Sequence, residues 1–381
     1  MSMHQRMSLV LVSFAVAGAA WAHPEYKVTV VAPAGSVATG INEAGTVVGY
    51  YQVSPGVTHA FLNRGKGLVD LGTFKGTSST AVAINDKGQV LGQWTTRGGQ
   101  VRGYIYDLGR MRDIGVIGGK ITSWTDINNA GYVIGSAGGN GFLRAPNGTL
   151  TRLGHLPGDD PQYAPITEPR ALNNKNQITG VSGSGTPIDP LFHGFLWTRG
   201  RMIDLGSLGD VPIFGQAIND RGQIAGTAAL ETGLSRVAFL YSGGRMVAID
   251  NRPGSANPYS TGDGINNHGH VVGYSDHLGG YVWRGKRMQS LLNLIDPKHG
   301  WQILYPRAVN DAGQIVANAL RNGQFYTIRL DLIRPQAHTV QPVDSAEEAS
   351  VEPALSPEAA AARAQAEAEA AAREVAQPVT Q

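Results

Sequence analysis

Between residues 26 and 330 the apolar positions fall in short runs separated by Gly, Asn, Asp and Pro, and no stretch sustains a helical period. The runs themselves repeat. A small apolar residue followed by Asn recurs as Ile41-Asn42, Ile84-Asn85, Ile127-Asn128, Leu172-Asn173, Ile218-Asn219, Ile265-Asn266 and Val309-Asn310, at spacings of 43, 43, 45, 46, 47 and 44. A period of that size identifies a repeat architecture.

Each unit predicts four short strands. The first ends at the Asn anchor, as in TAVAIN. A turn such as NEAG, NDKG or NNKN follows, with Gly at its fourth position in six units and Asn176 in the other. Gly and Asn take positive φ most readily, so this turn closes a tight hairpin. The second strand is β-branched (TVVGYY, QVLGQW, QITGV), the third is centred on an aromatic residue (AFLN, GYIYD, GFLWT), and the fourth ends near Asp-Leu-Gly (LVDLG, MIDLG).

Four antiparallel strands per unit of about 45 residues is the size of a β-propeller blade. The segment 23–334 holds seven such units. The seventh has no clear fourth strand, whereas the chain opens on a lone strand at Tyr26 to Val31. Lys27 precedes Ile41 by the same 14 residues that separate Asp70 from Ile84, which puts the first strand in the empty fourth slot. The expectation is an all-β, seven-bladed propeller closed by its two ends, leaving no open sheet edge. An open solenoid is the alternative, but it requires capping units, and none is visible.

The phrase resembles the bacterial HAF extracellular repeat family. The resemblance rests on Ala83-Ile84-Asn85-Asp86-Lys87-Gly88-Gln89-Val90, His59-Ala60-Phe61-Leu62 and Met202-Ile203-Asp204-Leu205-Gly206, and it covers about 310 residues. Only His59 and His193 keep the family's histidine, and Arg152 replaces the Asp of the third unit. The resemblance implies an exported, propeller-like repeat and no particular reaction.

Two segments read as lying outside the fold. Residues 1–22 have the form of a secretory signal: Arg6, an uncharged run from Ser8 to Ala20, and the cleavage triplet Ala20-Trp21-Ala22. That run is too short to span a bilayer, and no other stretch is long enough. Residues 335–381 are rich in Ala, Glu, Gln and Pro, without an aromatic, and carry eight carboxylates against Arg363 and Arg373. Their composition cannot offset the entropy of ordering. It reads as a tail with a marginal, solvated helix after Ser356-Pro357. The chain has 51 glycines and no cysteine, which removes disulfides, thiolate metal sites, a cysteine nucleophile and a lipid-modified anchor. The expected location is therefore the periplasm or the medium, as a monomer without membrane insertion. A net charge of +2 with no basic stripe argues against nucleic acid.

Connection lengths sort the faces. The turns after the anchor and after the aromatic strand are short throughout, while the other two connections vary and share one face of a propeller. The longest of these spans hold His155, Asp159, Asp160, Tyr163 and Arg170 in one unit and His299, Trp301, Tyr305 and Arg307 in another. These are the candidate ligand-binding residues, because aromatics and arginines anchor binding and long loops on a rigid scaffold carry function. The span after Ile249 adds Arg252 and Tyr259. The competing reading is solvated insertion.

Other constellations have simpler explanations. The repeated Asn-Asp-x-Gly supplies too few oxygens for a calcium loop. Asp70, Asp113 and Asp204 recur by symmetry and read as caps on local backbone. His268-Gly269-His270 has no third ligand in sequence, and Asn147-Gly148-Thr149 reads as a turn. No catalytic motif, metal site or cofactor fingerprint is present. The function read from the sequence is an exported scaffold that binds a protein or glycan through the long-loop face. The alternative is an extracellular or periplasmic hydrolase or lyase at the channel mouth.

Overall fold

The computed structural model describes residues 24–333, apart from 121, 157–165, 186–189, 209–212, 231–234, 251 and 253–257. The proposed signal segment and the acidic tail lie outside the described residues.

Seven four-stranded antiparallel sheets form the fold. Their inner strands are Val37–Ile41, Ser78–Ile84, Thr122–Ile127, Ile166–Leu172, Ile213–Ile218, Gly264–Ile265 and Gln302–Val309, and they define blades one to seven. Six sheets are built from consecutive strands. The seventh runs Gln302–Val309, Ile315–Arg321, Gln324–Leu332 and then back to Tyr26–Val30. The first strand thus fills the fourth place of the last blade, and the chain is a closed seven-bladed β-propeller.

The closing register sets Val28 opposite Leu330 and Val30 opposite Ile328. Beyond the strand's end the Thr327 carbonyl accepts from the Val31 N–H at 3.0 Å. The closing strand is anchored by Tyr26, which is buried with Trp301, Ile315, Ile328 and Leu330.

Apolar cores lie between neighbouring sheets. Val48, Ala60 and Leu62 of blade one meet Ala81, Val90 and Tyr104 of blade two, and Val316 of blade seven meets Ala38, Val47 and Phe61 of blade one. Each second strand presses so closely on its inner strand that a methyl group cannot fit between them. A Cβ at Gly49, Gly180 or Gly273 would stand about 2 Å from the Val37, Glu168 or Thr261 carbonyl oxygen. The glycine of VVGYY, which recurs in six of the seven second strands, is therefore a packing requirement, eased only at Ala317 of blade seven.

The tight turns follow the expected chemistry. Their fourth residues, among them Gly45 (φ 73°) and Asn176 (φ 56°), are left-handed. The segment after Ser290 departs from a plain loop: Leu291–Leu294 and Pro297–His299 are short 3-10 turns.

Candidate binding face at the channel mouth

The inner strands surround a channel with two unlike ends. At the tight-turn end every anchor Asn uses both halves of its amide. Oδ1 accepts from the backbone N–H four residues on, for example Thr46 N at 2.9 Å and Gln177 N at 2.9 Å. Nδ2 donates to the carbonyl of the next blade's anchor: Asn42 to Asn85, Asn85 to Asn128, and so on round to Asn310 and back to Asn42, all at 2.8–3.1 Å.

The following residue forms a second ring. The backbone N–H of Glu43, Asp86, Asn129, Asn174, Asp220, Asn267 and Asp311 each donates to the side-chain oxygen of its counterpart in the next blade, at 2.7–3.1 Å. The turn chemistry read from the sequence holds, but half of it joins blades rather than closing hairpins.

These rings enclose about 210 Å³ lined by the anchors, by Glu43, Asp86, Asp220 and Asp311, and by Asp126. Asp126 breaks the repeat, since the equivalent positions are Gly40, Ala83, Ala171, Ala217, Gly264 and Ala308. Its carboxylate accepts from Ile127 N and, across the blade gap, from Leu172 N, both at 2.8 Å. Burial nevertheless pushes its pKa up to about 7, outweighing those two donors. Glu43 is also raised to about 7, by burial first and then by the Asp311, Asp86 and Asp220 carboxylates, against the N–H of Asp311. Every oxygen pair in this cavity has a backbone donor, so the cavity reads as a structural hub.

A second repeated device lies in the outer half of the blades. The family-like histidine and the Asp-Leu-Gly carboxylate form a pair: His59–Asp70 at 2.8 Å and His193–Asp204 at 3.0 Å. In blade two Arg102 takes the histidine's place against Asp113 at 2.7 Å. In blade three the polarity reverses, with Arg152 donating to Asn140. Blade five carries Val237 and Ala248 at these two positions, both apolar. The carboxylates also cap local backbone as expected, at Gly72 N (2.7 Å), Gly115 N (2.8 Å) and Gly206 N (2.8 Å). Burial alone would raise the Asp70 carboxyl, but hydrogen bonds from His59, Gly72 N and Tyr51 hold it below its ordinary value.

The long-loop end is not symmetric. The inner-strand residue three before the anchor reaches to the next blade: Thr39 to the Ala81 carbonyl at 3.2 Å, Thr125 to the Pro169 carbonyl at 2.9 Å, Arg170 to Gln216 Oε1 at 2.7 Å. Blades one to three carry small or β-branched side chains at this place and two residues earlier: Thr39 and Val37, Val82 and Thr80, Thr125 and Ser123. Blades four to seven carry Arg170 and Glu168, Gln216 and Phe214, Asp263 and Thr261, Arg307 and Tyr305.

These larger groups join into an arc. The Arg170 and Arg236 guanidinium groups sit 5.5 and 5.9 Å from the centre of the Phe214 ring. Arg236 is bridged through its backbone to Tyr259. The Tyr259 ring lies 6.3 Å from Tyr274, which lies 6.4 Å from Tyr305. Tyr259 and Tyr305 remain 42% and 49% exposed, well above what a core aromatic shows. Arg170 forms a single hydrogen bond, to a neutral amide, and among the described residues neither it nor Arg236 has a carboxylate within ion-pair distance. Burial lowers the Arg170 pKa, against the opposing field of Glu168. A desolvated guanidinium without an anion is costly.

Of the sequence candidates, Arg170, Tyr305 and Arg307 belong to blades of this arc. Trp301 is a correction: it is only 7% exposed, packed edge-on against Tyr326 at 5.6 Å and covered by Arg321, because it immediately precedes the inner strand and packs into the core of the closing blade. His155 and His299 are exposed, and His299 lies 3.9 Å from the Asp296 carboxylate of its own short turn rather than in the arc. Asp159, Asp160 and Tyr163 lie outside the described residues. Phe214, Arg236 and Tyr274 were not singled out by sequence; only the ring brings them together. On the same face Asp250, Asp276 and His277 cluster at metal-like distances, but Arg252 already spans both carboxylates at 3.0 and 2.6 Å, so the cluster is an ion-pair network.

No protein-family profile matches the chain, and no curated protein matches it by sequence. Solved structures match it by shape. The β-propeller domain of the Trilobed protease from Pyrococcus furiosus, described by an open velcro topology, superposes with a TM-score of 0.52 at 9% identity, covering 77% of this chain and 95% of that one. YCF48 bound to D1 peptide gives 0.50 at 9% identity, covering 82% and 98%. Virginiamycin B lyase from Staphylococcus aureus with quinupristin gives 0.47 at 10% identity, covering 81% and 100%. At these identities the likeness establishes the propeller fold alone.

Proposed function

We propose that this protein is an exported binding propeller of the HAF-repeat type, holding its ligand at the long-loop mouth of the channel. The observation that carries this reading is the confinement of the asymmetry. Seven blades share one anchor ring, and four of them depart at the mouth toward arginines and half-exposed aromatics, the residue types that dominate binding hot spots. A scaffold needs symmetry for closure, whereas a ligand without seven-fold symmetry needs it broken.

The test is an array of immobilised glycans and peptides, probed with the wild-type protein, with Arg170→Ala/Arg236→Ala/Tyr274→Ala, and with Arg287→Ala on the opposite face. The mouth variant should lose signal that the opposite-face variant keeps. Equal loss in both, or none in either, would sink the reading. Product analysis on the same bound ligands distinguishes a binder from the alternative hydrolase or lyase. The export component is checked separately: N-terminal mass spectrometry of the periplasm or medium should find His23 first, and retention of Met1 in an inner-membrane fraction would exclude it.

A further inference from the structure

Resting on that reading, we infer that the ligand class is an anionic pyranose chain, whose charges are uronate carboxylates or sulfate esters. Three features of the arc point there.

The first is charge without a partner. Arg170 and Arg236 both lie over the Phe214 ring, at 5.5 and 5.9 Å from its centre, and have no carboxylate within ion-pair distance among the described residues. Arg170 spends one donor on Gln216, and among the described residues no other hydrogen-bond partner meets its planar fork. Such a fork matches a carboxylate or sulfate bidentately, and exclusion of water strengthens the contact.

The second feature is the aromatic row. Tyr259, Tyr274 and Tyr305 follow one another at 6.3 and 6.4 Å, with the outer two open to solvent. A pyranose ring has an apolar C–H face and a polar edge, which suits amphipathic tyrosines laid out in series. Phe214, with both guanidinium groups over its ring, lies next to this row through the backbone bridge of Arg236 to Tyr259, so the cations stand at one end of the aromatic platforms.

The third feature argues against an extended peptide. Peptides commonly add to a free strand edge through backbone hydrogen bonds. Here the main chain beside the aromatic row is already used. Arg236 N donates to Pro258 O, Ser260 N to Arg236 O, Asp276 N to Tyr259 O and Thr261 N to Tyr274 O, all at 2.8–2.9 Å. Recognition along this part of the arc must therefore come from side chains.

Calorimetric titration at low salt with a galacturonate oligosaccharide, a sulfated galactan oligosaccharide, the methyl-esterified galacturonate and an oligoglutamate peptide tests the class. One or both anionic sugars should bind, the neutral ester at least tenfold more weakly, and the peptide no better than the ester. Arg170→Ala with Arg236→Ala should cost the anionic sugar at least about tenfold, and Tyr274→Ala should weaken it without changing its salt dependence. Preference for oligoglutamate, lost in the arginine variant, would overturn the glycan class while leaving the mouth as the binding site. Equal binding of the neutral ester would overturn the anionic requirement. Binding of the acidic sugar unaffected by either variant would overturn both this inference and the reading beneath it. Absence of binding by all four probes would refute the ligand class, and the array above would then judge the site alone.

Discussion

The two ends of the channel are built from the same seven strands and obey opposite rules. At the tight-turn end every blade repeats the same two hydrogen bonds to its neighbour, with Glu43 as the only change of side-chain length in the second ring. At the long-loop end no two of the four modified blades carry the same pair of residues, although Arg170 and Arg307 occupy the same place. The contrast separates what holds the ring shut from what the ring presents. Side chains at the closed end are held by backbone partners, while at the open end Arg170 spends one donor on Gln216 among the described residues and tyrosines stay exposed.

The largest expected effect breaks the closed end altogether. Deleting residues 24–32 removes Tyr26 and Val28 from the last core and exposes the strand Gln324–Leu332. Unfolding should move down by more than 10 °C in scanning calorimetry, with aggregation, because loss of the joint is felt round the ring. A local fraying of blade seven alone would show that closure is dispensable. In the intact chain, Val28→Cys with Leu330→Cys should crosslink on mild oxidation, where Val28→Cys with Thr327→Cys should not.

Next comes Asn173→Asp. The carboxylate cannot donate to the Asn219 carbonyl, and it is buried beside it. The loss should be about 3 kcal/mol by denaturant unfolding; a cost under about 0.5 kcal/mol would mean the ring of amides is ornamental.

The hub also sets a pH response. Asp126 and Glu43 have folded pKa values raised to about 7, above those of free carboxyls. The folded state therefore keeps protons that the unfolded chain has released. This contribution is full below about pH 4 and is lost as pH rises through about 7. Asp126→Ala, the residue type of most other blades at that place, should flatten the fall in melting temperature between pH 5 and 8, a change of a few degrees. An unaltered slope would assign the response elsewhere.

At the open end, Arg170→Ala should leave stability unchanged or raise it by up to about 1 kcal/mol, since it removes a desolvated charge that has no carboxylate partner among the described residues. A large loss would make Arg170 part of the scaffold and erase the contrast. Smallest of all is the outer pair. Asn140→His with Arg152→Asp recreates the blade-one pair, and a double-mutant cycle should give a coupling under about 1 kcal/mol, because position 152 is exposed and position 140 only half-buried.

The scaffold was legible because it is written seven times. Each anchor, turn glycine and aromatic strand is a local pattern reinforced by repetition, and the count of strands at the two ends implied the closure. The inter-blade half of the anchor chemistry was not legible. Asn42 and Asn85 are 43 residues apart, and nothing in a tight turn says that its amide reaches the next turn. The outer pairs were hidden for the same reason: His59 and Asp70 read as separate motif letters until two strands bring them face to face. The arc was half visible. Arg170, Tyr305 and Arg307 stood out by type near long connections, whereas Phe214 and Tyr274 look like ordinary strand aromatics, and Trp301 was misplaced because a tryptophan after Gly300 reads equally as loop anchor or core.

The return of the chain to its own beginning has a consequence in time. Thr29 bonds to Asp331, 302 positions later, so the first strand to leave the ribosome is the last to be paired. Until the final hairpin exists, Tyr26 has no core to enter and blade seven has a bare edge. Assembly of the last blade therefore ends in one long-range step, whereas each of the other six sheets can form from strands that follow one another in the chain.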